Sequence, residues 1–183
     1  MQGFTMVEVL VALVILSIGL LGVAGLQLSG VRDTQDSYFR SQATIAMNDL
    51  AERIYANVPA AQAAEYGGYD SSVIDCGTAP AKICARETTT GTIPPICSSA
   101  EMATYDEFVA SCGMPNGAGR SGGIADLVPQ GKLLTTCLDR TGAVDATCAV
   151  GDGIRITVQW NERQAKEQGG AIVAQSMDMV IQP

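Results

Sequence analysis

Residues 9–31 of this chain contain no charged side chain, and 23 such residues in a row constrain the fold more than any other feature. At the helical rise of about 1.5 Å per residue they cover about 35 Å, enough to cross a hydrocarbon core of about 30 Å. An ordinary soluble core helix is therefore not expected. Glu8 stands just ahead of this run, where a carboxylate has no obvious partner. An ionised carboxylate in lipid costs about 3 kcal/mol or more on insertion scales, so a chain that keeps one there usually pairs it. A secretory signal peptide needs a basic start and a short apolar core, whereas Met1, Gln2 and Gly3 are uncharged and the apolar run is too long. A plain signal anchor fits the length but gives Glu8 no purpose.

The helical pattern continues past the apolar run and becomes amphipathic. Phe39, Ala43, Ala46 or Met47, Leu50, Ile54 and Val58 recur every three or four residues, with Asp36 and Arg40, and Asp49 and Arg53, as pairs four apart on the exposed side. One helix is expected from residue 4 to about residue 58, about 80 Å long. Pro59 interrupts it, and Asn57 is placed to cap a short second helix that Gly67 and Gly68 end. Gly19, Gly22 and Gly25 are spaced by three, not by the four of a helix-dimer motif, and read as glycines tolerated in a lipid helix.

With 183 residues, the chain has room for one membrane helix and one modest domain. A formal charge of -8 argues against nucleic acid as a partner, because phosphate neutralisation needs a basic face. Cys76, Cys84, Cys97, Cys112, Cys137 and Cys148 all follow the apolar run, and the chain has no histidine. An even set without a CxxC pair or a His ligand, beyond a membrane anchor, fits disulfides in an oxidising compartment and not a metal. Cys137 and Cys148 bracket the turn-containing "LDRTGAVDAT" and are paired on that spacing; the other four allow three connectivities.

The remaining sequence reads as a loop-rich α+β domain. Ser98 and Glu101 form a capping box that opens a helix of about three turns. In "GDGIRITVQWNE", Ile154, Ile156, Val158 and Trp160 alternate with polar residues, the pattern of a half-buried antiparallel strand. "AIVAQSMDMVIQ" is its expected hairpin partner, and "GKLLTTCLD" a third strand. Gly117, Gly119 and Gly122 match G-x-G-x-x-G but lack the strand before and the helix after, so a flexible loop is expected there. Nothing resembles a catalytic site: the commonest general base is missing, no Ser or Cys nucleophile motif occurs, and the acidic residues are scattered as on a solvated face. Neither an enzyme nor a cofactor is expected.

"GFTMVEVLVALVILSIG" resembles the class III signal of type IV pilins: Gly3 before an aromatic Phe4, Glu8 four residues on, then an apolar helix. "ILSIGLLGVAGLQ", "MNDLAERIYANVPAA", "AEMATYDEF" and "ITVQWNE" are similar to the PilV subfamily of minor pilins. The leader "MQG" lacks the basic residues usual in the family, which leaves a translation start further upstream open. The resemblance implies that a prepilin peptidase cuts after Gly3 and methylates the new amine of Phe4, creating a cation that Glu8 can pair with. It implies a leader at residues 1–3, a transmembrane and assembly helix at 4–31, and a head at 32–183 that includes the amphipathic part of the helix. The implied fold is pilin-like: a long N-terminal helix packed on a small antiparallel sheet. The implied place is the inner membrane, single-pass, with the head in the periplasm and the chain incorporated into the pilus. The implied partners are other minor and major pilins, and the implied task is priming or capping the type IV pilus. A pseudopilin of a type II secretion system and a tethered domain that never polymerises are the alternatives. The PilV pattern further favours Cys76 with Cys97 and Cys84 with Cys112.

Overall fold

The computed structural model describes residues 5–85, 95–116, 119–145, 148–163 and 171–183. It is α+β. Helix α1 (Met6–Ala56) and the short α2 (Val58–Gln62) are followed by one 3₁₀ turn at Ser71–Val73 and by α3 (Ser99–Cys112). A two-stranded ribbon, β1 (Met114–Asn116) and β2 (Gly119–Ser121), and a single helical turn, α4 (Ile124–Leu127), lead into β3 (Lys132–Leu138), β4 (Gly153–Arg163) and β5 (Ile172–Ile181). These last three make one antiparallel sheet in the order β3-β4-β5. By its internal contacts the chain divides into two units, Met1–Tyr38 and Phe39–Pro183.

The first unit is the N-terminal part of α1. None of residues 5–38 is buried, and its apolar window is long and apolar enough to cross a membrane. Gly19, Gly22 and Gly25 leave the helix uninterrupted, and a methyl group at any of them would meet nothing within 4 Å.

The second unit has its own core. Ala43, Ala46, Met47, Leu50, Ala51 and Ile54 line one face of α1 and are at most 6 % exposed, as their three-and-four spacing predicts. They cluster with Leu133 of β3 and with Ile154, Ile156, Val158 and Trp160 of β4. The expected alternation of β4 is observed, and the register is continuous: Leu133 opposes Val158, Thr135 opposes Ile156 and Cys137 opposes Ile154, so one face of the sheet points inward. The hairpin of β4 with β5 and the third strand were both expected.

A second apolar cluster forms on another face of α3, where Tyr105, Phe108, Val109 and Cys112 are covered by Ile74, Cys76, Ile83, Cys84, Ala85 and Met102. Segment 74–85 thus acts as a strap on α3, and disulfides fix both its ends. Cys76 joins Cys112, Cys84 joins Cys97, and Cys137 joins Cys148, with Cα separations of 5.4, 5.9 and 5.2 Å. The third pair is the expected one; the expected Cys76–Cys97 and Cys84–Cys112 are corrected. The reason is helix length: Cys97 and Cys112 lie at opposite ends of α3, which at 14 residues spans about 21 Å. The strap brings Cys84 to the N-terminal end, its sulfur 3.7 Å from the Glu101 carbonyl oxygen, and leaves Cys76 at the other.

Two further differences have local causes. Asn57 stands at the N-cap of α2 without capping it, because its amide is drawn to Tyr66 and Ser99 instead. The glycine-rich stretch expected as a loop contains the β1–β2 ribbon, with Gly119 paired to Asn116; Gly117 lies outside the described residues.

Candidate functional site

Two places in the chain hold charge in apolar surroundings, one in each unit. In the first, Gly3 and Phe4 lie outside the described residues, and Glu8 sits in the first turn of α1. Its backbone N–H donates to the Thr5 carbonyl at 3.1 Å and approaches Thr5 Oγ1 at 3.4 Å. Thr5 therefore stands as N-cap, with Glu8 as the third helical residue. A carboxylate there faces the positive end of the helix dipole, worth about 0.3–1 kcal/mol at an exposed site. The T-x-x-E spacing that announces this arrangement was readable in the sequence and was missed. Val9, Ala12, Leu13 and Leu16 continue the surface beside Glu8 as an exposed apolar concavity.

In the second unit a seam of polar side chains joins α1, the turn after α2 and α3. Arg53 donates to Asp49 at 2.8 Å and to Asp106 at 3.1 Å. The other oxygen of Asp106 accepts from the Tyr66 hydroxyl at 2.8 Å, and the Asn57 amide donates to that hydroxyl and to the Ser99 carbonyl. Burial pulls the Arg53 pKa down, but the hydrogen bonds and charges of Asp49 and then Asp106 outweigh it and leave it raised. Burial, reinforced by Asp106, pushes the Tyr66 hydroxyl well above its ordinary value, so it remains a donor. The expected surface pair of Asp49 with Arg53 exists, yet Arg53 also turns inward, and Asp106 and Glu107 are 4 % and 8 % exposed. The expectation that all acidic residues are solvated is corrected at these two positions.

Beside the seam, the Tyr69 hydroxyl bonds the Glu107 carbonyl oxygen at 3.0 Å and lies 2.6 Å from Ser111 Oγ, while Thr135 of β3 donates to the Tyr66 carbonyl. The Glu107 side chain differs from the rest. Its Oε1 is buried without a partner among the described residues, and burial, with Asp106 and Glu65 adding, pushes its pKa up to about 8. At the start of α3, Ser98 and Glu101 make the expected capping box, and Lys82 of the strap reaches Glu101 at 2.6 Å. No group of three or more His, Cys, Asp or Glu side chains suited to a metal occurs among the described residues.

Comparison with known families agrees with this arrangement. The prokaryotic N-terminal methylation motif matches residues 1–24, and the type IV pilin Tt1218 family matches residues 25–108. No curated protein and no solved structure shows a significant match. The two family matches adjoin, and with a long apolar N-terminal helix, a three-stranded antiparallel sheet and a disulfide-bonded head they support a type IV pilin. Its N-terminal motif and its apolar helix fit a membrane-anchored pilus subunit.

Proposed function

We propose that this chain is a minor pilin, which joins other minor pilins in a complex that primes or caps the type IV pilus and carries out no chemistry itself. The observation that supports this reading most is the surface of α1 from Met6 to Val31: exposed, predominantly apolar, and with Glu8 as its one charged residue. Such a surface is satisfied only by lipid or by the apolar helices of neighbouring subunits. The similarity of "MNDLAERIYANVPAA" and "ITVQWNE" to the PilV subfamily supports a minor pilin over a major one.

In this reading residues 1–3 are a leader that prepilin peptidase removes after Gly3, and the methylated amine of Phe4 becomes the partner of Glu8. Residues 4–31 stay in the inner membrane and residues 32–183 lie in the periplasm. A subunit entering a bundle must desolvate both charges, and in low dielectric their attraction offsets much of that penalty. Removing Glu8 leaves the amine buried and unpaired, a fault of about 3–5 kcal/mol.

Glu8→Val is accordingly expected to insert and be cleaved, and then to fail to co-purify with other pilins. Wild-type co-purification with normal piliation would sink the proposal. Deleting the gene adds a second readout: lost pili support a pilus role, whereas blocked exoprotein release with pili intact would favour a secretion pseudopilin.

A further inference from the structure

The two outer edges of the β3-β4-β5 sheet are treated differently. The β3 edge is covered, because Asp70 forms an antiparallel bridge with Leu134, the Thr135 N–H donates to the Tyr69 carbonyl at 3.0 Å, and the Leu133 N–H donates to Ser71 Oγ at 2.8 Å. Among the described residues the β5 edge is bare. Over ten positions β5 pairs with β4 and has no second neighbour among the described residues. In an antiparallel strand every second residue turns its N–H and C=O to the far side, so about half of the backbone groups of β5 have no strand partner among the described residues.

Proteins usually blunt such an edge by shortness, lysine, proline or a bulge. A strand of 10 residues is long against a usual 5–6, its register with β4 skips no position, and "IVAQSMDMVI" contains neither Lys nor Pro. Its one charge is Asp178, exposed, with Thr157 as cross-strand partner and no ion pair among the described residues. On the inner face, Met177 and Met179 are only partly buried against the core, and on the outer face Val180 is exposed. A lipid or a helix cannot satisfy a row of backbone donors and acceptors; an extended strand can.

Resting on the reading of the chain as an assembling pilin, we propose that the outer edge of β5 receives an extended strand of another pilin subunit, one with a basic residue opposite Asp178. Charge complementarity selects this occupant. Like charges directly opposed in a sheet repel and opposite ones attract. A second copy of a chain with formal charge -8 brings the same sign to the contact.

The test uses the full chain in detergent micelles and two nine-residue peptides of alternating threonine and valine, one with lysine at the centre and one with glutamate. Hydrogen exchange at the β5 amides reports strand addition, and fluorescence anisotropy reports affinity. The lysine peptide is expected to protect β5 and to bind about fivefold more tightly than the glutamate peptide, and Asp178→Lys is expected to reverse that order. Absence of β5 protection with either peptide, or a preference unchanged by Asp178→Lys, overturns the proposal. So does a dimer with β5 protected in the absence of peptide, which would make the edge a self-contact.

Gln175→Pro and Ser176→Pro supply a second arm. Adjacent residues face opposite ways, so one of the two loses only an outward N–H. The variant that keeps native Trp160 fluorescence is expected to lose peptide binding, and binding retained in it overturns the proposal. If both variants unfold, the Asp178 exchange still decides. Failure here with assembly still dependent on Glu8 removes the edge contact alone; peptide binding with assembly indifferent to Glu8→Val removes the assembly reading alone.

Discussion

The unit Met1–Tyr38 buries none of its described side chains, whereas the unit Phe39–Pro183 encloses Trp160, Tyr66, Leu50, Ile54 and Ile156 at under 2 % exposure. Helix α1 contributes to both, so the contrast lies in side chains and not in backbone. Among the described residues of the first unit the backbone bonds within its own helix, and from Val9 to Val31 the side chains suit an apolar solvent, so a lost methylene is replaced by whatever surrounds it. In the second, a lost methylene leaves a hole in a close-packed interior. The same substitution made once in each unit should therefore have unequal effects, and three matched pairs test this.

The largest difference is expected between Leu50 and Leu16, which are fully buried and 59 % exposed. Leu50→Ala removes a side chain from the cluster that joins α1 to the sheet, at about 2–5 kcal/mol. Leu16→Ala should leave the melting of the head unchanged. Near-ultraviolet circular dichroism of the full chain in detergent, followed through thermal unfolding, reads both; equal shifts would erase the contrast.

Glycine gives the next pair. A methyl group added at Gly67 would run into both sulfurs of the Cys137–Cys148 disulfide, whereas one added at Gly22 meets nothing within 4 Å. Gly67→Ala is expected to destabilise the head by about 1–3 kcal/mol through overpacking. Gly22→Ala should not, and should add up to about 1 kcal/mol of helix propensity. Denaturant titration of the two variants checks the opposite signs.

What the sequence discloses follows the same division. The apolar stripe of α1, the alternation of β4 and the capping box of α3 are periodic or local signals, and each was legible because the residues that make it are neighbours in the chain. The cysteine partners were not. Pairing Cys76 with Cys112 depends on which way the strap runs along α3, a tertiary fact that spacing does not encode. Nor was the seam: Asp106 and Glu107 look like any acidic pair on a helix, and it takes Arg53 and Tyr66, both at a distance in sequence, to show that Asp106 points inward. Glu8 stands between these cases. Its cap to Thr5 is local and readable, whereas the partner proposed for its charge is the amine of Phe4, outside the described residues.

The last pair is Glu8 and Glu107, and here the expected effect depends on pH and vanishes at its acid end. Glu8 is exposed, and Glu8→Gln should leave the pH dependence of head stability unchanged. Glu107 is buried, its Oε1 unpartnered, and its pKa is pushed up to about 8 by burial, with Asp106 and Glu65 adding. The folded state thus holds a proton that the unfolded chain releases near the ordinary glutamate value of 4.5. Between those two values the folded form binds more protons than the unfolded one, so stability falls as pH rises, by at most about 1.4 kcal/mol per unit. Below the lower value the two states are equally protonated and nothing is lost; above the higher one the loss is complete and constant. Glu107→Gln keeps the shape of the neutral acid and cannot ionise. It should match the wild type near pH 4.5, exceed it by a margin that grows as pH rises through neutrality, and flatten this part of the profile up to pH 8. Urea midpoints taken across that range decide it. A wild-type and variant pair whose difference does not change with pH would mean that Glu107 finds a compensating partner in the folded head.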